Sequence, residues 1–543
     1  MSHRKLLTLA LTIAGVLAMT AINTPASVAE DTGATETTQA SFADQYENNV
    51  VTIVVQLTDG APALADMKER VNAAVAAAVP GMSATGVREY THALRGFAIT
   101  APASSLAAIR ATPGVKAAFM DRHSATIYSV YQPNSSDDED QGKDNHPSHA
   151  TAMDMTAAAQ ATHRGSGQVV EIIDTGFDTS HSAFAGSVEG ARLSQADVTS
   201  LATTLGDGRG GGWVSPKIPF AYDYADGDAD VTYPAPGEFP DQTDDARYTH
   251  GTHVAALAAS NGSEFRGAAP DAQLIMAKVL GDDDQEINDS VLLAALDDAA
   301  VLTPDVLVVS VGDDSGQNGD AMAVYADVYA ALTAKGVAIN APAGDYTSSA
   351  WGNWNSENLP FATDADFGAI IWPALDSNAL AAASLDEVKR TDGQPLPDAS
   401  PSYFSSWGVT PDLRLKPEIA APGGDVMSAL PAGSYGRRSG TAEASAQVAG
   451  IAALVRQRIA ADPMFAGMSA ADKDAVVANF LMGTAHPVVD ATQADGAFYS
   501  PRQVGSGLVD AVGATTSPVY PSVVGAANPS RPKADLGDGT DGW

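Results

Sequence analysis

His250, Asp174 and a tight turn into a buried helix within Ser439–Gly450 are the groups in this chain that could act on one bond together. His250 sits in Thr249-His250-Gly251-Thr252-His253-Val254-Ala255-Ala256, which reads as a helix start. Thr249 is the N-cap candidate, and the run from Val254 to Ala259 is small and apolar, as in a helix packed closely on a sheet. A histidine in a first turn can reach into a cleft, although singly such a residue serves structure more often than chemistry. Asp174, followed by Thr175-Gly176, ends an apolar run. A carboxylate there can accept an imidazole Nδ1–H and fix its tautomer, or merely cap a turn. Far downstream, Ser439-Gly440-Thr441-Ala442-Glu443-Ala444-Ser445 reads as a turn into a buried helix, whose unpaired N–H groups can stabilise an oxyanion.

Strands with nearly continuous apolar runs must carry these groups. Val169–Ile173, Leu274–Val279, Val306–Val311 and Val337–Asn340 alternate with the helix-like stretches Val291–Ala300 and Ala321–Ala334. Doubly buried strands alternating with helices predict an α/β domain built on a parallel sheet with helices on both faces, over residues 151–515. Sites in such sheets form beyond the carboxyl ends of the strands. A smaller module precedes it over residues 49–122. Its strands Val50–Gln56, Gly96–Thr100 and Val115–Met120 and helices Ala63–Ala78 and Ser104–Ala111 give a β-α-β…α-β order that suits a small α+β, ferredoxin-like fold. Residues 123–150 read as an acidic, exposed linker. Residues 30–48 and 516–543 read as flexible.

Net charge is −36 over 543 residues, which argues against nucleic acid and against anionic membranes as partners. The chain has no cysteine, which excludes disulfides and thiolate metal sites. Arg4-Lys5, the apolar stretch Leu6–Ile22 and the small residues Ser27-Val28-Ala29 read as an export signal over residues 1–29. They predict a secreted protein, extracellular or at the cell envelope, with no membrane attachment after signal removal. Asp223, Asp226, Asp228 and Asp230, and separately Asp282, Asp283 and Asp284, offer hard oxygen ligands. Calcium is therefore admitted as a structural ion, against the alternative of a solvated acidic face. No cofactor is required for the chemistry.

The ordered motifs resemble those of the subtilisin family. Asp174-Thr175-Gly176 is similar to its aspartate motif, and His250-Gly251-Thr252-His253-Val254-Ala255 to its histidine motif. Gly440-Thr441-Ala442-x-Ala444-Ser445 is similar to its serine motif. Ser310-Val311-Gly312 resembles the segment that pairs with substrate backbone, and Ala343-Gly344-Asp345 the turn that supplies an oxyanion donor. Within the family, Pro219–Asp226, Phe404–Gly408, Lys416–Gly423 and Ser500–Asp510 look like the lactocepin type of cell-envelope proteinase. The resemblance implies a serine endopeptidase fold acting on extended polypeptide, with residues 49–122 as its own inhibitory propeptide. Only the short segment Glu387–Pro401 stands where many relatives insert a further domain.

Ala442 departs from the pattern, because the family's nucleophilic serine belongs at that position. Alanine has no Oγ, so a base at His250 has nothing to deprotonate. In subtilisin itself, loss of the nucleophile costs about 10⁶ in rate. Asp345 compounds the loss, since an ionised carboxylate repels an oxyanion. Glu443, Ala446 and Gln447 differ from the family's usual residues as well. The expectation is a secreted homologue without turnover. The alternatives are a peptide-binding pseudoprotease, or an active endopeptidase that uses a displaced hydroxyl (Ser439, Thr441 or Ser445) or carries a deliberate serine-to-alanine change.

Overall fold

The structure, a computed structural model, describes residues 49–121, 123–124, 152–234, 245–284, 286–312, 319–346, 369–386, 399–410, 413–493 and 496–523. The export signal, the segment 30–48, most of the linker and the end of the tail lie outside the described residues, as do residues 387–398.

The N-terminal module runs β1 (Val50–Leu57), α1 (Leu64–Ala78), β2 (Thr85–Tyr90), β3 (Gly96–Pro102), α2 (Leu106–Arg110) and β4 (Val115–Met120). Its four strands lie in the order β2-β3-β1-β4, with antiparallel pairing throughout. This is the ferredoxin-like arrangement expected from the sequence, with β2 as the strand the sequence pattern had not disclosed. Period-2 alternation divides its sheet. Ile53, Val55 and Ile99 pack under α1 with Met67, Val71 and Val75. Val54, Ala98 and Phe119 face the other way, into the core of the large domain.

The large domain follows with β5 (Val169–Asp174), β6 (Phe220–Asp223), α3 (Asp245–Ala259), β7 (Gln273–Lys278), α4 (Asp289–Leu302), β8 (Val306–Val309), α5 (Gly319–Ala334), β9 (Ala338–Pro342), β10 (Ala379–Asp386) and β11 (Ile419–Gly424). A hairpin, β12 (Val426–Leu430) and β13 (Ser434–Arg438), leads to α6 (Thr441–Ala461) and then α7 (Ala470–Thr484). The seven strands lie in the order β11-β10-β9-β8-β5-β7-β6, all parallel. Val170, Ile172, Leu274 and Met276 turn towards the α3 and α6 side. Val169, Ile173, Ile275 and Ala277 turn towards α4 and α5. Helices thus cover both faces, as the continuous apolar strands required.

Glu171, in strand β5, departs from that pattern: it is fully buried, and among the described residues neither of its carboxyl oxygens has a hydrogen-bond partner. Burial, reinforced by Asp298, raises its pKa well above the carboxylate range. The folded state therefore retains a proton that the unfolded chain releases near pH 4, and stability from this group falls as pH rises beyond that point. Glu171→Gln is expected to match the parent's thermal midpoint near pH 4 and to exceed it at pH 8. Equal midpoints at pH 8 would show the carboxyl to be solvated.

Contacts between the module and the large domain centre on one carboxylate. Asp297, fully buried in α4, accepts the backbone N–H groups of Thr91, His92, Ala93 and Leu94 at 2.9, 2.9, 2.7 and 3.0 Å. Around it, Gln56 Nε2 donates to Asp327 at 2.6 Å, and Tyr90 Oη donates to the Ser290 carbonyl at 2.9 Å. Beyond the module, His123–Ser124 pairs antiparallel with Ile287–Asn288, so the segment read as a linker begins as a short strand.

Candidate active site

Asp174 ends β5 in the middle of the sheet. Its Oδ1 accepts the Thr175 N–H at 2.6 Å and lies 2.8 Å from His250 Nδ1. A carboxylate can only accept here, so Nδ1 carries a proton and Nε2 points away from Asp174. Both side chains are buried, His250 at 2% exposure. Thr175 Oγ1 donates to the Arg247 carbonyl at 2.8 Å, tying the first turns of α3 to this strand end. Close approach of the two motifs depends on glycine. A Cβ on Gly251 would stand 2.2 Å from the Gly176 carbonyl oxygen and 3.2 Å from Asp174 Cβ.

The helix that carries His250 starts earlier than its sequence suggests. α3 begins at Asp245, so Thr249 is no N-cap. It lies inside the helix, and its Oγ1 accepts from Arg438 Nε at 3.2 Å. Motif residues that signal a helix start were in fact placed by tertiary contacts, with Arg438 arriving from β13.

Burial alone would lower the pKa of His250. Asp174 more than offsets it, with smaller contributions from Glu443 and Asp345, and the imidazole is raised to about 9. Among the described residues, His250 Nε2 is buried and has no hydrogen-bond partner. Ala442, second residue of α6, is fully buried.

Asp345 follows β9. Its Oδ1 accepts the Thr441 N–H at 2.9 Å and Thr441 Oγ1 at 2.8 Å, while Gly344 N donates to that same Oγ1 at 3.0 Å. Burial lifts Asp345 to about 7 against the pull of the Thr441 bonds. Its Oδ2 is buried without a partner. The alternative hydroxyls are committed or remote. Thr441 Oγ1 is bound to Asp345, Ser439 Oγ accepts the Asp425 N–H at 2.8 Å, and Ser445 lies fully buried a helical turn along α6.

Ser310, Val311 and Gly312 continue β8 at its carboxyl end. Ser310 N donates to the Ile173 carbonyl at 3.1 Å. Among the described residues, Val311 and Gly312 spend neither amide nor carbonyl on other backbone. A Cβ on Gly312 would meet the Trp372 carbonyl at 2.3 Å.

Sequence reasoning missed one pair beside the site. His253 and Glu443 are fully buried, with Nδ1 and Oε1 3.3 Å apart. His253 Nε2 faces the Val426 carbonyl at 3.1 Å and must donate to it, which leaves Nδ1 towards Glu443. The signal was the departure at Glu443, whose partner in α3 no spacing rule could name.

Of the acidic clusters, the structure brings Asp223, Asp226 and Asp282 together. Asp228 and Asp230 instead accept backbone N–H groups within their own loop.

A parallel α/β sheet with an Asp–His pair at a central strand end, beside a turn into a buried helix, defines a serine-peptidase type of scaffold. The profile of the Subtilase family matches residues 165–507, and the chain belongs to that family. It is similar to the PII-type proteinase of Lacticaseibacillus paracasei, 24% identical over a 670-residue alignment that covers 91% of this chain and 33% of that protein. The PI-type proteinase of Lactococcus lactis subsp. cremoris is 27% identical over 241 residues, 43% of this chain and 11% of the relative. The C5a peptidase of Streptococcus pyogenes is 37% identical over 128 residues, 23% of this chain and 11% of the relative. The chain thus spans a third or less of the length of these relatives. The likeness to lactocepin-type proteinases read from the motifs stands with these matches. No helix among the described residues is long and apolar enough to cross a membrane.

Proposed function

We propose that this chain is an exported subtilase homologue that binds extended polypeptide in its cleft without hydrolysing it. Asp174 orients His250, His250 occupies the place of the base, and Ala442 occupies the place of the nucleophile. The observation that carries this reading is the pairing of a correctly held imidazole, its Nε2 unpartnered, with a methyl group at the start of α6. A triad without its nucleophile loses about 10⁶ in rate, on subtilisin's own figures. Among the described residues, Val311 and Gly312 make no backbone–backbone hydrogen bond, which supports peptide binding by strand addition. Calcium is not needed for any step of this reading.

The module over residues 49–122 acts as a propeptide that stays in place. Its docking on α4 through Asp297, and the short strand that leaves it, support that role. Without a nucleophile it cannot be removed in cis. Purified protein is expected to resist labelling by a fluorophosphonate probe, to leave casein intact and to retain peptides in a pull-down. Mass spectrometry of material secreted from a protease-deficient host is expected to find the module still covalently joined. A sharp self-processed end within residues 123–150, or probe labelling of the unaltered chain, would refute the reading.

A further inference from the structure

Asp223, Asp226 and Asp282 present carboxylate oxygens within 4.8 Å of one another. That spacing by itself suits a calcium ion, which binds oxygens at about 2.3–2.6 Å. The space among them is already taken by Lys278, the last residue of β7, whose side chain is fully buried. Its Nζ donates to Asp223 Oδ2, donates to Asp282 Oδ1 at 2.7 Å and reaches Asp226 Oδ2 at 3.5 Å. A divalent ion on these oxygens would collide with the ammonium.

The lysine has little freedom to withdraw. Residue 278 is paired across the sheet on both sides, with Asp174 of β5 and with Asp223 of β6. Its carbonyl accepts the Tyr224 N–H at 2.8 Å. The donor set therefore does not fit a divalent cation, and it fits an ammonium well.

The geometry points to a built-in counter-ion. The Lys278 ammonium takes the place of a divalent cation between the loops that follow β6 and β7, and this edge of the sheet is held without calcium. Burial alone would lower the lysine's pKa, but Asp223 and Asp282 more than offset that and hold it above its ordinary range. Burial lifts Asp223 to about 6 even beside the ammonium, which still leaves the pair ionised at neutral pH. The clamp reaches the candidate site through the next residue, because Val279 N donates to the Asp174 carbonyl at 3.0 Å.

Thermal unfolding of the full chain in excess EDTA and in millimolar calcium chloride tests this. The midpoint is expected to be the same in both, or to show a calcium shift that survives in the Asp226→Asn/Asp282→Asn variant. Lys278→Gln is expected to lose about 5 °C in EDTA and to regain it in calcium. That recovery should vanish when both asparagine changes are added. A calcium shift of the unaltered chain that Asp226→Asn/Asp282→Asn abolishes would overturn the proposal. So would a Lys278→Gln protein as stable as the parent in EDTA, or one whose loss calcium does not repair. If Lys278→Gln does not fold, the comparison of the unaltered chain with the double asparagine variant decides alone.

Discussion

Ala442→Ser is expected to yield only a weak peptidase, with a low, flat pH optimum between 7 and 9, and Asp345→Asn added to it should open the alkaline range. The first change returns the nucleophile, but two titrations then oppose each other. His250 accepts a proton only when neutral, and its pKa is raised to about 9. Its competent fraction is about one in a hundred at pH 7 and rises with pH. Asp345 can donate to an oxyanion only when protonated, and it titrates at about 7. Its competent fraction falls over the same range. The Asp345→Asn change would keep an acceptor for Thr441 and place an amide donor where Oδ2 now lies. Loss of one oxyanion donor costs roughly 2.7–4 kcal/mol, so the double variant should exceed the single one by about 10²–10³-fold at pH 9. Removing Asp345's charge also takes away one cause of the high His250 pKa, which moves the rising limb to lower pH. Hydrolysis of a chromogenic peptide across pH 6 to 10 reads both effects. A double variant already at its plateau at pH 7 would show that His250 is an ordinary neutral base.

Asp297→Ala should release the N-terminal module. Four backbone amides converge on that carboxylate, and truncation leaves them without an acceptor. Each buried backbone donor left without an acceptor costs about 1–3 kcal/mol, so the docking equilibrium should fall by on the order of 10²-fold or more. Hydrogen exchange across residues 49–121 is expected to accelerate accordingly, while exchange in the central strands of the large sheet stays slow. Asp297→Asn retains Oδ1, which takes three of the four amides, and should show a smaller change. Unaltered exchange in the alanine variant would mean that the apolar contacts of Val54, Ala98 and Phe119 hold the module unaided.

The parts of this molecule legible from sequence are those governed by local pattern. Val169–Ile173 and Val306–Val309 announce buried parallel strands because an apolar side chain is needed on each face. The Asp174 and His250 motifs carry their own glycines and small residues, so their meeting could be expected. What stayed hidden depends on partners distant in the chain. β2 is an edge strand whose residues Thr85, Gly86 and Val87 are exposed, and it has little alternation to betray it. Glu171 and Lys278 sit in runs that read as nearly continuous apolar strands, and only the fold reveals that one carboxyl is orphaned and one ammonium enclosed. The turn at Asp345 was recognisable, but its hold on Thr441 joins segments 96 residues apart. The pair His253–Glu443 needed both helices in place.

The contact between Gly176 and Gly251 gives the two halves of the site unequal tolerance to mutation. No side chain can be introduced at Gly251 without driving α3 away from β5, so this junction is closed to drift. Ala442, in contrast, differs from serine by a single oxygen. A lineage could lose or regain the reacting atom at that position while keeping the architecture around it, and the backbone contact would preserve the route back.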